Sequence, residues 1–431
     1  MNRRVSILAG ALLFALAGSA SAQELLIRNA TVHTATARGT LRSADVLVHG
    51  GRIVAVGADL AAPANTPTVD ANGAPVTPAL FGGLTHLGVE EVSGEDSTVD
   101  AGLGMGQDGR AINVRPEFDV TLAFNPDATA VPVNRIEGIG ETMLMPGLGE
   151  GGSIILGQGG MVRLDGSPDP IGPRVLFVAL GDQVSEESGH SRAGQWMLLE
   201  QWLDEARGRI PATTNAASLT PAGRAVLAKF ARGEGLVMFQ VDRAADIHQL
   251  LKFAQRQHLR VGIVGGVEAW RVAREIAAAK VPVFVDPLAD LPANFDEIGA
   301  RMDNAAILRQ AGVTVGIVQG GENPTHNARN TRQLAGNAVA NGLSWEDGLA
   351  ALTRVPAEVF GIRDSGQIAV GQRADLVLWT GDPLDVANVA KQVWLDGRAI
   401  TMRSRQTDLR DRYLAPQGPL PRAYSVPDQA H

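Results

Sequence analysis

The chain has no cysteine and only four lysines among its 431 residues. Without cysteine the fold holds no disulfide bond, and no thiol nucleophile is available. The Gly-x-Ser-x-Gly segment of serine hydrolases is also missing, so neither common covalent hydrolase mechanism has a signature here. The formal charge of −8, together with the lack of a Lys/Arg cluster, argues against a nucleic-acid partner.

Long apolar runs are scarce, and the one near the start of the chain is too short for a membrane span. Arg3 and Arg4 precede apolar residues 5–17, and Ala-Ser-Ala at 20–22 forms a small-residue cleavage site before Gln23. This pattern predicts a signal peptide over residues 1–22, with a retained anchor as the alternative. We therefore expect a periplasmic protein with no membrane span after cleavage.

The middle of the chain alternates between strand and helix patterns. Predicted strands cover residues 236–241, 261–264, 281–285 and 313–318, and predicted helices cover 244–257, 268–280, 301–311, 327–340 and 344–353. Such alternation predicts a parallel sheet with helices outside it. Chemistry in such folds lies at the carboxyl ends of the strands.

Strand patterns also mark both ends of the chain. Residues 25–32, 45–49 and 52–56 alternate near the start, and residues 375–379 and 392–395 do so near the end. We expect these segments to combine into a small β-sandwich over residues 23–77 and 365–403. A barrel then covers residues 78–364, and residues 404–431 form a polar, proline-containing tail.

Three stretches resemble the amidohydrolase superfamily, in its imidazolonepropionase-related branch. They are residues 48–57 (VHGGRIVAVG), residues 76–81 (VTPALF) and residues 366–377 (GQIAVGQRADLV). The resemblance implies an α/β fold with a TIM-type (β/α)8 barrel, complete or distorted, beside the small sandwich. It also implies hydrolysis of C–N bonds in cyclic amides, ureas or dipeptides.

In that family the first barrel strand ends in Asp-x-His-x-His, and both histidines bind a divalent metal. Alternate residues of a strand point the same way, so two such imidazoles face one ion. The matching residues here are Gly82, Leu84 and His86. Leucine has no lone pair, so His86 alone occupies a family ligand position.

The remaining family ligands are also replaced. The strand-five pattern His-x-His-Arg falls on residues 240–243 (QVDR), and the strand-six pattern His-Gly-x-Glu-Ala falls on residues 265–269 (GGVEA). The last strand, where the family has an aspartate, ends at residues 317–321 (IVQGG). A hydrolytic metal site needs about three protein ligands. No metal or other cofactor is therefore expected, and a single divalent metal such as zinc is the alternative.

Several polar residues are predicted at the strand ends. The candidates for catalysis are His86, Asp242, Glu268 and His326, and those for substrate binding are Gln240, Arg243 and Glu322. Each candidate for catalysis has a structural alternative: a hydrogen-bonded strand-end histidine, an ion pair or helix cap for Asp242, a carboxylate at a helix start, and a capped turn around His326.

Two functions remain open at this point. One is a periplasmic amidohydrolase-family hydrolase of non-peptide or dipeptide C–N bonds, with a degenerate metal site and weak, unorthodox or no turnover. The other is a non-catalytic pseudoenzyme that binds a small molecule or a protein partner. The sequence does not identify the small molecule, and it leaves a homo-oligomer open.

Overall fold

The computed structural model describes residues 23–103, 114–149, 152–214, 217–320 and 324–414. The predicted signal peptide, residues 415–431 of the predicted tail and candidate Glu322 lie outside these ranges. In the part of the chain that is described, no helix is both long and apolar enough to cross a bilayer.

The strands form two separate sheets. They are β1 (Leu25–His33), β2 (Thr40–His49), β3 (Arg52–Gly57), β4 (Thr68–Asp70), β5 (Pro75–Pro78), β6 (Leu80–Thr85), β7 (Ile139–Leu144), β8 (Ile155–Arg163), β9 (Ile171–Ala179), β10 (Leu236–Val241), β11 (Arg260–Gly265), β12 (Val283–Val285), β13 (Val315–Ile317), β14 (Leu376–Trp379), β15 (Ala390–Leu395) and β16 (Arg398–Ala399).

The helices connect and cover these strands. They are α1 (Ala130–Arg135), α2 (Arg192–Ala206), α3 (Pro221–Ala231), α4 (Ala244–Gln257), α5 (Ala273–Ala278), α6 (Asn304–Gln310), α7 (Pro324–Asn327), α8 (Thr331–Ala340), α9 (Trp345–Ala350), α10 (Arg354–Phe360) and α11 (Arg405–Leu414).

The barrel sheet has eight strands in chain order from β6 to β13. Strands β9 to β13 are parallel, as the alternating pattern predicts, whereas β8 runs antiparallel to both β7 and β9. The edge strands β6 and β13 are bridged by residues 351–352: the Phe81 amide donates to the Leu352 carbonyl (2.7 Å) and the Ile317 amide to the Ala351 carbonyl (3.3 Å). The α/β class and the barrel are thus confirmed, and the barrel is nearly closed and distorted.

The interior of the barrel is apolar. Phe81, Phe284 and Phe360 pack together with ring centroids 5.1 to 6.3 Å apart, and each ring is buried. Leu84 lies in the same apolar core with 5% of its surface exposed. Because this core occupies the barrel centre, polar chemistry is confined to the ends of the strands.

The second sheet combines strands from both ends of the chain in the order β16-β15-β14-β5-β1-β2-β3, with β4 paired to β1. It has an apolar core of its own. Trp379 of β14 is fully buried, and its indole N–H donates to the Thr77 hydroxyl on β5 (2.9 Å). The strand pairing gives one continuous sheet, and its arrangement as a two-layer sandwich stays a prediction.

The predicted helices agree with the structure to different degrees. Predicted helix 244–257 matches α4, with Ile247, Leu250 and Ala254 buried on one face. Predicted helix 268–280 is instead a 3-10 turn over Ala269–Val272 followed by the short helix α5. Within the segment predicted as a tail, residues 405–414 form α11, which buries none of its residues.

Candidate functional site

The site is defined by the carboxyl ends of the parallel barrel strands. Because parallel strands end at the same side of a sheet, the residues after β6, β10, β12 and β13 meet at one mouth. The polar residues at or just after these four strand ends are His86, Asp242, Asp286 and Gln319.

His86 is held by two neighbours. Its backbone amide donates to the Thr325 hydroxyl (3.0 Å), and its Nδ1 lies 3.3 Å from Glu90 Oε2. Thr325 also donates to Glu90 Oε2 (3.4 Å). A methyl group added at Gly147 would lie 3.4 Å from His86 Nε2, so this nitrogen faces the loop after β7. We call His86, Glu90, Thr325 and His326 the His86 cluster.

Glu90 is the buried acid of this cluster, with 6% of its surface exposed. The hydrogen bond from His86 lowers the pKa of Glu90 below its usual value, and the neighbouring imidazoles of His86 and His326 act in the same direction, against burial. Its second oxygen, Oε1, is buried and accepts no hydrogen bond from any residue that the structure describes. Sequence reasoning missed Glu90, and the signal available was its spacing of four residues from His86.

Asp242 follows β10 and fills the space beside the end of β11. Its Oδ1 accepts the Val267 amide (3.3 Å). Gly265 has φ +91°, and a side-chain carbon there would collide with the Asp242 carboxyl group. The pKa of Asp242 is raised to about 7: burial is the largest cause, Glu297 and Asp296 act in the same direction, and the backbone amides of Val267 and Gly266 oppose them. The Asp242 carboxyl group thus fills the space that a side chain at residue 265 would need.

Glu268 serves a structural purpose next to Asp242. Its Oε2 accepts the Ala244 amide at the start of α4 (3.1 Å), and its Oε1 accepts the Gly299 amide (2.8 Å). It thus satisfies an otherwise unpaired amide in the first turn of a helix that belongs to a different segment. Arg243 is the N-cap residue of α4 and makes no side-chain cap there.

An ion network that sequence reasoning missed lies near Asp242. Arg192 contacts Asp246 (2.7 Å) and Asp296 (2.5 Å), and Asp296 also accepts the Asp182 amide (2.9 Å). Asp246 and Asp296 are both buried. Arg192 joins α2, α4 and an irregular segment, so no spacing along the sequence could have indicated the contact.

Two further candidates, Gln240 and His326, and the residue Asp286 also lie near the strand ends. Gln240 donates to Gln183 Oε1 (3.1 Å), which gives the mouth an amide pair. Asp286 accepts the Gly320 amide (2.8 Å) and so holds the segment after β13. His326 is exposed on α7 near Glu90.

The structure brings His86 and His326 into one cluster, and Asp242 and Glu268 into another. Among the described residues, no hydrogen bond or ion pair joins the two clusters. Within the same residues, no three His, Asp or Glu side chains lie close enough together to hold a metal ion. The donor set thus does not fit the metal centre that the resemblance implies.

Known proteins share parts of this chain and its fold. Residues 324–401 match the model of the Amidohydrolase family. An adenine deaminase of Deinococcus radiodurans is 29% identical over 364 residues, which are 82% of this chain and 58% of that protein. Amidohydrolase tasK of Hapsidospora irregularis is 32% identical over 107 residues, covering 23% of this chain and 11% of that protein. The chain thus spans only part of each of these relatives.

A solved structure agrees over a greater length. An amidohydrolase from Thermotoga maritima MSB8 superposes with a TM-score of 0.76 at 24% identity, over 88% of this chain and all of that one. Residues 324–401 thus resemble the Amidohydrolase family, and 88% of the chain shares the fold of the solved amidohydrolase. A shared fold does not fix the chemistry, which depends on the residues at the barrel mouth.

The residues of this amidohydrolase fold could perform one kind of chemistry without a metal. In one tautomer of His86, the Nδ1–H group donates a hydrogen bond to Glu90 and Nε2 carries no proton. Nε2 can then act as a base. The carboxylate would fix that tautomer and stabilise the imidazolium formed when Nε2 takes up a proton. Among the described residues, the contacts of His86 include no group that could activate a substrate carbonyl.

Proposed function

We propose that the protein is an exported member of the amidohydrolase superfamily that binds a small amide-bearing molecule at the barrel mouth and has lost metal-dependent hydrolysis. The observation that carries the proposal is the placement of the residues at the ligand positions that the resemblance implies. Leu84 lies in the apolar core, and Asp242 occupies the space beside Gly265. A site of this kind cannot supply the three ligands that a hydrolytic metal needs.

The polar groups that remain at the mouth suit an amide. Gln240 and Gln183 present a donor and an acceptor, and His86 Nε2 points toward the loop at Gly147. Binding sites commonly place a few such groups among apolar walls. The ligand class follows from this chemistry and from the resemblance to enzymes of cyclic amides, ureas and dipeptides.

The contact between His86 and Glu90 favours a second candidate function, a metal-independent hydrolase. A histidine oriented by a buried carboxylate is a competent general base, and such catalysis contributes roughly 10²–10⁴-fold in rate. This candidate uses the same mouth and the same ligand class.

A substrate panel separates the two functions. The full chain is incubated with cyclic amides, ureas and dipeptides, with zinc or with a chelator, while thermal shift assays monitor ligand binding. The proposal expects stabilisation by at least one compound and no chelator-sensitive turnover. Turnover that resists the chelator and disappears in His86→Ala would establish the second candidate. Chelator-sensitive turnover would overturn both.

Export is part of the proposal and rests on the charged, apolar and small-residue regions before Gln23. Expression of the full gene, followed by cell fractionation and N-terminal sequencing, tests it. A periplasmic protein that begins at Gln23 is expected, and an unprocessed cytoplasmic chain would contradict it. The imidazolonepropionase-related branch stays a prediction from residues 48–57 and 366–377.

A further inference from the structure

A large groove lies at the other end of the barrel, remote from the proposed ligand site. The first residues of β10 and β11, Leu236 and Arg260, border it together with the last turns of α4 and α5. Its volume is about 970 Å³. Because β10 separates the groove from Asp242 by six residues at roughly 3.3 Å each, about 20 Å lie between them.

The groove is positively charged in a chain of net charge −8. Lys252, Arg260 and Lys280 line it, all three are exposed, and none forms an ion pair with another described residue. Two carboxylates also line it, but each has a partner: Glu275 contacts His248 (2.5 Å) and Glu358 contacts Arg354 (3.0 Å). Two of the four lysines of the chain therefore share one concave surface.

Helix ends explain part of this charge and leave a surplus. Helices α4 and α5 end at the groove, and each carboxyl end carries a partial charge of roughly −0.5. Together they offset about one of the three cations. With histidine counted as neutral, as in the net charge of −8, Glu275 offsets a second cation. About one positive charge then faces the groove without compensation.

The floor of the groove is apolar. Leu236, Val261 and Val281 line it, and each is buried with 6 to 8% of its surface exposed. Pockets that bind small molecules combine apolar walls with a few charged groups, and they measure roughly 300–1,000 Å³. An apolar floor below three cations matches a molecule with an acidic head and an apolar body.

We propose that this groove is a second binding site, for an amphipathic anion with a phosphate or carboxylate head. The head lies against Lys252, Arg260 and Lys280, and the apolar body covers Leu236 and Val261. This site is independent of the function proposed for the barrel mouth.

Calorimetric titration of the full chain tests the proposal with four probes. They are dodecyl phosphate and dodecanoate below their micelle concentrations, inorganic phosphate, and the uncharged dodecyl maltoside. The variant Lys252→Gln/Lys280→Gln removes two groove cations. Its matched control, Lys229→Gln/Lys391→Gln, removes the other two lysines of the chain, which are exposed elsewhere. Ala279→Trp, at an exposed position of the groove, fills the binding space.

We expect saturable binding of dodecyl phosphate or dodecanoate, and the tighter of the two identifies the head group. The groove variant should weaken this binding about tenfold, which corresponds to about 1.4 kcal/mol, because each of the two exposed contacts that it removes contributes less than about 1 kcal/mol. The control should change it less than about twofold, as expected for distant screened charges. Ala279→Trp should abolish it while the unfolding transition stays in place.

Four results would overturn the proposal. The first is that neither anion binds saturably. The second is that both lysine variants weaken binding equally. In the third, dodecyl maltoside binds as tightly as the anions. In the last, inorganic phosphate binds as tightly as dodecyl phosphate, so the apolar floor contributes nothing.

Discussion

The carboxyl group of Asp242 lies where a side chain at residue 265 would have to go. This pair joins the ends of β10 and β11, at two positions where the resemblance implies metal-binding histidines. Histidine at residue 265 would not fit by itself, because the carboxyl group of Asp242 occupies the space of its side chain.

Gly265→Ala should therefore destabilise the protein more than its backbone conformation alone explains. The left-handed φ costs roughly 1–2 kcal/mol, and the collision with Asp242 adds about 1–3 kcal/mol. Gly312 is a matched control, since its φ is +90° and no described atom lies within 4 Å of an added Cβ. Urea unfolding of both alanine variants measures the difference, and equal losses would show that Asp242 does not fill the space.

Thr325→Val should destabilise the end of β6. The substitution keeps the size of a fully buried side chain but leaves the His86 amide without its acceptor, which costs roughly 1–3 kcal/mol. Thr325→Ser retains the hydroxyl and should lose less. Chemical denaturation measures stability, and the NMR shift of the His86 ring reports its orientation. Identical behaviour of the two variants would mean that the hydroxyl does not hold His86.

Arg192→Gln should lower the free energy of unfolding by about 1–3 kcal/mol, because it leaves two buried carboxylates without their shared cation. Because 30% of the Arg192 side chain is exposed, the expected loss of unfolding free energy is smaller than for a fully buried ion pair. Arg209→Gln is the control: both its side chain and that of its partner Asp204 are exposed, so less than about 1 kcal/mol is expected. Equal effects in urea unfolding would refute the role assigned to the network.

Glu141 should make stability depend on pH. It is fully buried in β7 and accepts a hydrogen bond from Ser365 (2.7 Å), and burial raises its pKa from 4.5 to about 7. Because the folded state holds the proton more tightly, this stabilisation is complete below about pH 4.5 and is lost as the pH rises through about 7.

The pKa difference at Glu141 corresponds to about 3 kcal/mol. Glu141→Gln should flatten the fall in unfolding free energy between pH 4.5 and 7.5, although Asp242 keeps part of it. Glu346→Gln removes an exposed carboxyl group as a control. A slope unchanged in Glu141→Gln, measured by urea unfolding at each pH, would contradict the raised pKa.

The sequence predicted those elements whose pattern is local. Helix α4 matches its prediction because Ile247, Leu250 and Ala254 recur at helical spacing, and β10 matches as a continuous apolar run. The antiparallel strand β8 was not predicted: it contains Gly157, Gly159 and Gly160, which give no periodic signal. A side chain at residue 159 would collide with the Leu144 carbonyl oxygen on β7. This contact exists only in the folded chain, so the sequence could not explain the glycine.

Part of the candidate site was predicted from the sequence, as was part of the fold. His86 was found because it matches one residue of a motif on a strand, whereas Glu90 was not, because its contact depends on the turn between them. Glu268 was expected at the start of its own helix, and it is the N-cap residue of the 3-10 turn Ala269–Val272. Its contact with the Ala244 amide at the start of α4 was not predicted. Arg192 and its two carboxylate partners come from three different segments of the chain, so their meeting depends on the packing of α2 and α4.

The metal content of the full chain, purified without chelator, tests the central claim most directly. The account predicts no stoichiometric zinc, iron or manganese, no difference between the protein and His86→Ala, and an unchanged melting temperature in added zinc. About one metal ion per chain that is lost in His86→Ala would contradict it, and would show that a metal site has been rebuilt around His86.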